Sequence, residues 1–300
     1  MEKTGSTLRY DGMMIDAHNH PDWYGYTYEK FIANMDANGI GKTWLLSWEC
    51  PEDEYDPQYI PVVPERGPHG PIPFSICRTY GERNPERFIL GFAPDLRRAD
   101  AIDMLRAAVD LYGVRVCGEV KLRMMYDSPD AMRVFRYCGE RGLPVVLHFD
   151  DPHPTGQRYP RTDWWYGGDM HTLERMLEGC PETVFLGHAP GFWARIADGY
   201  IMEHGAYPKG PIDRPGPVID LLERFPNLYC DLSGGSGHNA LSRDPAFAAA
   251  FLTRFQDRML FARDAFDNVQ QECIDALGLS RTIRDKVYYK NAQALLGEEV

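Results

Sequence analysis

The sequence contains no apolar run near the roughly 18 to 20 residues that cross a bilayer, no lysine- and arginine-rich cluster, no C-x-x-C pair, no internal repeat and no low-complexity tract. Each absence removes a class of protein. Without a long apolar run no membrane helix is expected, and the start, MEKTGSTLRYDG, lacks the apolar segment of a secretory leader. The seven cysteines (50, 77, 117, 138, 180, 230 and 273) are odd in number and scattered, which fits reduced thiols in a cytoplasm better than a disulfide framework. A net charge of -12 without a basic patch argues against nucleic acid or an anionic membrane as partner, because either requires cations that neutralise phosphates. A small-molecule substrate remains. With 300 residues, 44% of them hydrophobic and 25% charged, the chain can build one sizeable core.

Apolar and β-branched runs that follow turn signals give eight strand candidates: MMIDAHNH from 13, KTWLLSWE from 42, RFILGFAP from 87, VCGEVKLR from 116, PVVLHFD from 144, TVFLGHAP from 183, LYCDLSG from 228 and RMLFARDAF from 258. Segments with helical spacing lie between most of them, at 28–38, 99–112, 129–141, 169–179, 215–225 and 244–256. Strands alternating with helices build parallel β/α units, and eight such units close into a (β/α)8 TIM barrel, here one domain over residues 1–300, with an open doubly wound sheet as the alternative. The connections after strand ends are long (50–74, 150–168, 189–212 and 234–243), so they gather on the C-terminal rim. Stiff aromatic loops there, with Trp23, Tyr24, Trp164, Trp165 and Tyr166, read as a substrate enclosure or as the contact of a homo-oligomer, most simply a dimer.

That rim also collects the polar residues of the strand ends. His18 and His20 alternate at the end of the first strand, and strict alternation places Asp16 on their face. His148 ends the fifth strand, His188 the sixth, and Asp264 follows the eighth. In a barrel these ends converge, and four imidazoles with a carboxylate form a nitrogen and oxygen shell suited to Zn²⁺, Mn²⁺ or Fe²⁺. On the fourth strand Glu119, Lys121 and Arg123 alternate toward the lumen, either as an internal ion pair or as ligands to a second metal or to the substrate. Asp231 reads as a structural acceptor. His69, His171 and His204 read as solvated, and His153 and His238 as minor rim candidates.

The ordered set DAHNH, LHFD, LGHAPG, LFARDAFDN and KVYYKNAQALLG, the last a closing helix, resembles the amidohydrolase superfamily, in particular its amidohydrolase-related branch of metal-dependent hydrolases, lactonases and decarboxylases. The resemblance implies that His18, His20, His148 and Asp264 hold a divalent ion, zinc before manganese or iron and one ion rather than two. It implies that His188 is a further ligand or the group that polarises substrate and moves protons. Hydrolysis of an amide, ester or lactone by an activated water is the leading expectation, with His188 and Asp264 as the catalytic pair. Non-oxidative decarboxylation of an aromatic or unsaturated acid is the alternative, with Arg78, Arg123, Arg158, Arg161 or Arg263 available to grip an anion. A metal-containing barrel that binds without turnover is the third.

Overall fold

The computed structural model describes residues 9–55, 59, 61–63, 70–151, 165–201 and 204–298. Trp164, Arg158, Arg161, His69 and His153 fall outside these residues. The strands are β1 (Met14–Asn19), β2 (Ile40–Leu45), β3 (Phe88–Leu90), β4 (Cys117–Val120), β5 (Val145–His148), β6 (Phe185–His188), β7 (Leu228–Asp231) and β8 (Met259–Leu260). They pair in parallel and in sequence order as two arcs, β1-β2-β3 and β4 to β8. The arcs join at both seams. Phe92 N–H donates to the Val116 carbonyl at 3.0 Å, and Arg115 N–H donates to Leu90 at 3.0 Å. At the other seam Ala17 N–H donates to Phe261 at 3.0 Å and Asp264 N–H to His18 at 2.8 Å. The result is a closed TIM barrel.

Local chemistry sets the helices between the strands. α1 (Tyr28–Asn38) ends at Gly39 in the left-handed region, φ 70°. After α2 (Phe74–Arg83) and α3 (Ala101–Tyr112) comes α4 (Pro129–Arg141), which starts where the Ser128 hydroxyl accepts from Ala131 N–H with proline in the first turn, and stops at Gly142. α5 (Met170–Gly179) opens on a reciprocal Asp169/Thr172 capping box. α6 (Pro190–Trp193), α7 (Pro217–Arg224), α8 (Gly234–Ser242) and α9 (Pro245–Arg254) follow, then α10 (Val269–Ala276) and α11 (Arg281–Asp285). A π-helical turn (Lys286–Lys290) and α12 (Asn291–Leu295) complete the described elements. Among the described residues no helix is long and apolar enough to cross a membrane. All seven cysteines are free, and six are buried.

The lumen is filled by Ile15, Ala17, Trp44, Leu46, Ile89, Val116, Val146, Leu186, Leu260 and Ala262, and Ala292 and Leu296 join this cluster from the chain end. The Leu296 carbonyl accepts from the guanidinium of Arg115, which precedes β4, so α12 covers the side on which the strands begin. The opposite rim is left open for chemistry.

Strict alternation fails at two strands. β1 pairs with β2 at Asp16 to Thr43 and next at Asn19 to Leu45, three steps against two. β4 pairs with β5 at Cys117 to Val145 and next at Val120 to Leu147, the same excess. One extra residue resets which side chains point inward. Ile15 and Ala17 therefore belong to the lumen, and so do His18 and His20 beyond the bulge. The expectation that Asp16 shares the histidine face is corrected: it turns toward α1, where its Oδ2 accepts from Arg263 Nε at 2.8 Å and its Oδ1 from Arg263 N–H at 2.8 Å. Arg263 Nη1 donates onward to Asn34 Oδ1 at 2.8 Å, so the guanidinium braces β1 against α1, while the residue also lines the cavity beside the rim. The pair is sealed, at 0% and 1% exposure. Asp16→Ala leaves that guanidinium buried without its counter-charge, and is expected to cost about 3–5 kcal/mol of stability. Chemical denaturation checks this, and a loss under about 1 kcal/mol would place the pair with solvent-screened surface bridges instead.

Candidate metal centre

The strand ends place six side chains around one point: His18 from β1 and His20 just after it, Glu119 from β4, His148 from β5, His188 from β6 and Asp264 in the turn after β8. All but Asp264 are at most 3% exposed. The side chain of Asp264 keeps 21% exposure, so it belongs both to the cluster and to the cavity above it. Asp264 has φ 50° and Ala189, next to His188, has φ 78°, left-handed values that side-chain-bearing residues seldom adopt and that are concentrated here at the site. Gly191, in the turn after β6, packs so closely on Phe149 that a Cβ would lie 2.8 Å from that residue's carbonyl, which fixes the β5 and β6 ends against each other.

Each imidazole is aimed by its other nitrogen. His18 Nδ1 lies 2.6 Å from Asp231 Oδ2, and His20 Nδ1 lies 2.8 Å from the Leu46 carbonyl, which only a protonated Nδ1 can satisfy. With each Nδ1 so engaged, it is Nε2 of each ring that faces the common point, and the two lie 3.2 Å apart. Asp264 Oδ1 stands 3.9 and 3.6 Å from the same two nitrogens. Glu119 Oε1 is 3.9 Å from His18 Nε2, and Glu119 Oε2 is 3.5 Å from His20 Nε2. Four donors about 2.0–2.2 Å from a tetrahedral ion lie roughly 3.3–3.6 Å apart. The spacing fits.

Two further observations support a cation. Among the described residues, Asp264 Oδ1 is buried without a hydrogen-bond partner, as is His148 Nε2. Burial opposes a charged His18, yet the carboxylates of Asp231, Asp264 and Glu119 hold its pKa up at about 10, a measure of how negative the cluster is. Burial also works against the Glu119 anion, but Lys121 and His148 outweigh it and hold Glu119 well below the usual carboxylate range. Burial raises Asp264, which His18 and His20 only partly counter. Burial lowers His188 to about 3, with His18 adding to the effect, so this imidazole is neutral.

A second donor set adjoins the first. Glu119 Oε1 lies 2.7 Å from His148 Nδ1 and 3.8 Å from His188 Nε2. His188 Nδ1 rests 3.0 Å from the Ser233 hydroxyl. One carboxylate thus stands between two histidine pairs, where the sequence favours a single ion. Asp231 supports from behind, its Oδ1 accepting from Ser233 N–H at 2.9 Å.

The other fourth-strand residues part company here. Lys121 lies among aromatic rings, while Arg123 is half-buried, donates its backbone N–H to Glu54 and does not line the cavity over the centre. Arg78, paired with Glu82 on α2, is likewise elsewhere. His171 is exposed beside Glu174. The cavity has a volume of about 320 Å³, and its walls include Tyr24, Tyr59, His148, His188, Tyr207 and Asp264. A neighbouring cavity of about 560 Å³ shares Tyr24, Tyr59, Tyr207 and Asp264 and reaches His238. The proline-rich segment after β2, the turn after β6 and the glycine-rich start of α8 all supply walls, as an enclosure requires.

A closed parallel barrel with this buried cluster at its C-terminal rim defines a TIM-barrel protein with a candidate metal centre. The chain belongs to the amidohydrolase family, whose model matches residues 75–297. No curated protein matches it. Similar solved structures include an uncharacterized TIM-barrel protein from Bordetella bronchiseptica, with 16% identity over 95% of this chain and 98% of that one and a TM-score of 0.61. A candidate 2-pyrone-4,6-dicarboxylic acid hydrolase from Pseudomonas putida shares 14% identity over 96% and 98%, with a TM-score of 0.60. A dihydroxybenzoic acid decarboxylase from Polaromonas, solved with manganese and the inhibitor 2-nitroresorcinol, shares 16% over 95% and 96%, with a TM-score of 0.59. At such identities the likeness speaks for the fold.

Proposed function

We propose that the protein hydrolyses an amide, ester or lactone bond of a small organic substrate with the help of divalent metal. The observation that carries this reading is the place of Glu119, with one histidine pair on each side of its carboxylate. His18, His20, Glu119 and Asp264 would hold one ion and Glu119, His148 and His188 a second. The nitrogen and oxygen donors suit Zn²⁺ first and Mn²⁺ next. When bound, such an ion lowers the pKa of water from 15.7 to about 7 and polarises a carbonyl.

The chain's own groups supply the rest. Asp264, the one carboxylate of the cluster that also lines the cavity, accepts the proton of the attacking water at its carboxylate. Asp231 and the Leu46 carbonyl favour the tautomer of His18 and His20 whose Nε2 is unprotonated and able to ligate a cation. The tyrosines of the rim limit entry of bulk water.

Decarboxylation is the second reading, and the decarboxylases among the similar structures favour it. Turnover in ¹⁸O-labelled water separates the two, since hydrolysis places the label in the product acid, whereas decarboxylation evolves CO₂ and leaves the organic product unlabelled. Exhaustive chelation is expected to lower activity by at least about 10³-fold, with recovery on adding Zn²⁺ or Mn²⁺. Full activity in protein shown by elemental analysis to be metal-free would overturn the proposal.

A further inference from the structure

The second cavity at the rim, about 560 Å³ in volume, carries polar groups that the chemistry at the centre does not use. Three residues of its wall, Arg263, Gln270 and His238, each keep one buried side-chain atom with no hydrogen-bond partner among the described residues. The atoms are Arg263 Nη2, Gln270 Oε1 and His238 Nδ1. Arg263 and Gln270 are each 1% exposed, so bulk water does not satisfy them. An unpaired buried polar atom destabilises the fold, and three along one wall point to a ligand that pairs with them.

One glycine gathers the three residues beside the centre. Gly234 N–H donates to the Arg263 carbonyl at 3.0 Å, the Gly234 carbonyl accepts from Gln270 Nε2 at 2.8 Å, and His238 follows one turn along α8. Gly234 also lines the cavity over the centre, where a Cβ on it would stand 3.6 Å from Asp264 Oδ2. The bonds already made fix what the remaining atoms offer. Because Gln270 Nε2 is committed to a carbonyl, its Oε1 is an acceptor. Arg263 Nη2 is a donor, and the guanidinium charge is balanced from behind by Asp16, whose Oδ2 accepts from Nε at 2.8 Å. His238 Nδ1 can serve in either sense. Asp264 and Asp267 line the same cavity and oppose an anion there. A donor and an acceptor side by side, with the arginine charge already matched, complement an uncharged group that has both a carbonyl and an N–H. Tyr26 and Phe266, stacked with centroids 3.8 Å apart, give that group a flat apolar wall.

We propose that this second cavity is a binding site for an uncharged carboxamide, whose carbonyl oxygen accepts from Arg263 Nη2 and whose N–H donates to Gln270 Oε1, with His238 Nδ1 as a further partner. The site takes the end of the substrate remote from the bond that is cleaved. It rests on the hydrolytic reading only for placing that bond beside Asp264. Binding itself requires no turnover.

The test is calorimetric titration of the full chain, both Zn²⁺-loaded and chelated, with benzamide, acetophenone and benzoate. The three probes share a ring and nearly the same size, but they present a carbonyl with an N–H, a carbonyl alone, and an anion. Benzamide is expected to bind about tenfold or more tightly than acetophenone in both forms, and than benzoate in the chelated form, where no ion attracts a carboxylate. Gln270→Met should bring benzamide down to the acetophenone level and leave acetophenone within about twofold of its wild-type affinity. Acetophenone binding as well as benzamide would overturn the assignment, and so would benzoate binding best to the chelated protein. A preference for benzamide that survives in Gln270→Met would also overturn it, as would equal weakening of both neutral probes, the mark of a pocket merely loosened. Should Gln270→Met fail to fold, a crystal soaked with benzamide decides: the amide N–H within hydrogen-bond distance of Gln270 Oε1 supports the site, and any other position overturns it. The expected order in a protein that hydrolyses nothing under any metal load would count against hydrolysis and leave the carboxamide site standing.

Discussion

Glu119→Gln is expected to reduce kcat/KM by about 10²–10⁴-fold and to lower bound metal to one ion per chain or fewer, the removal of a buried, paired charge costing on the order of 3–5 kcal/mol. Glutamine keeps the shape and loses the charge. The carboxylate is 2% exposed, faces His20 through Oε2 and His148 through Oε1, and is held ionised against its burial by Lys121 and His148. An amide in that place presents one oxygen and one NH₂, so it can offer a lone pair to a cation on one side only, while its NH₂ faces the other histidine pair. Elemental analysis with a steady-state assay checks both halves of the expectation. A variant with two ions and near-normal turnover would show that Glu119 is a structural partner of His148 and nothing more.

How far the sequence reveals such a centre depends on the range of the interactions that build it. α1 and α4 have the bounds that periodicity predicts, because their signals are local: Gly39 and Gly142 provide left-handed stops, and Ser128-Pro129 a start. The histidines and Asp264 are legible as strand-end residues because barrel geometry brings all strand ends to one rim. The bulges in β1 and β4 are not legible, since a period of two carries no mark of one extra residue, and so Asp16 is misplaced although its neighbours are placed well. α8 reads as loop because GGSGHNALS is poor in helix formers. There glycine serves packing, since a Cβ on Gly237 would lie 2.3 Å from the Leu232 carbonyl oxygen. The rings around Lys121 come from positions 48, 59 and 166, and only the folded chain brings them together.

The same contrast between local and assembled geometry separates the two aspartates beside the centre. Asp264→Asn is expected to lower kcat by about 10³-fold with a small change in KM, the usual scale for loss of a general base. Asparagine can still offer Oδ1 to a cation, so bound metal should fall less than in Glu119→Gln, but it cannot take a proton from water. Asp231→Asn removes a group that acts on the centre mainly through His18 Nδ1, at 2.6 Å, with a more distant approach to His188 Nδ1 at 3.7 Å. Its expected cost is about 10–100-fold, appearing chiefly as weaker metal affinity that excess Zn²⁺ restores. Excess metal should leave Asp264→Asn unrepaired, because what that variant lacks is a proton acceptor at the edge of the cavity, where its side chain is 21% exposed and its φ of 50° holds it. Metal titrations of both variants under steady-state conditions decide the matter: full rescue of Asp264→Asn by added metal would reassign Asp264 from base to simple ligand.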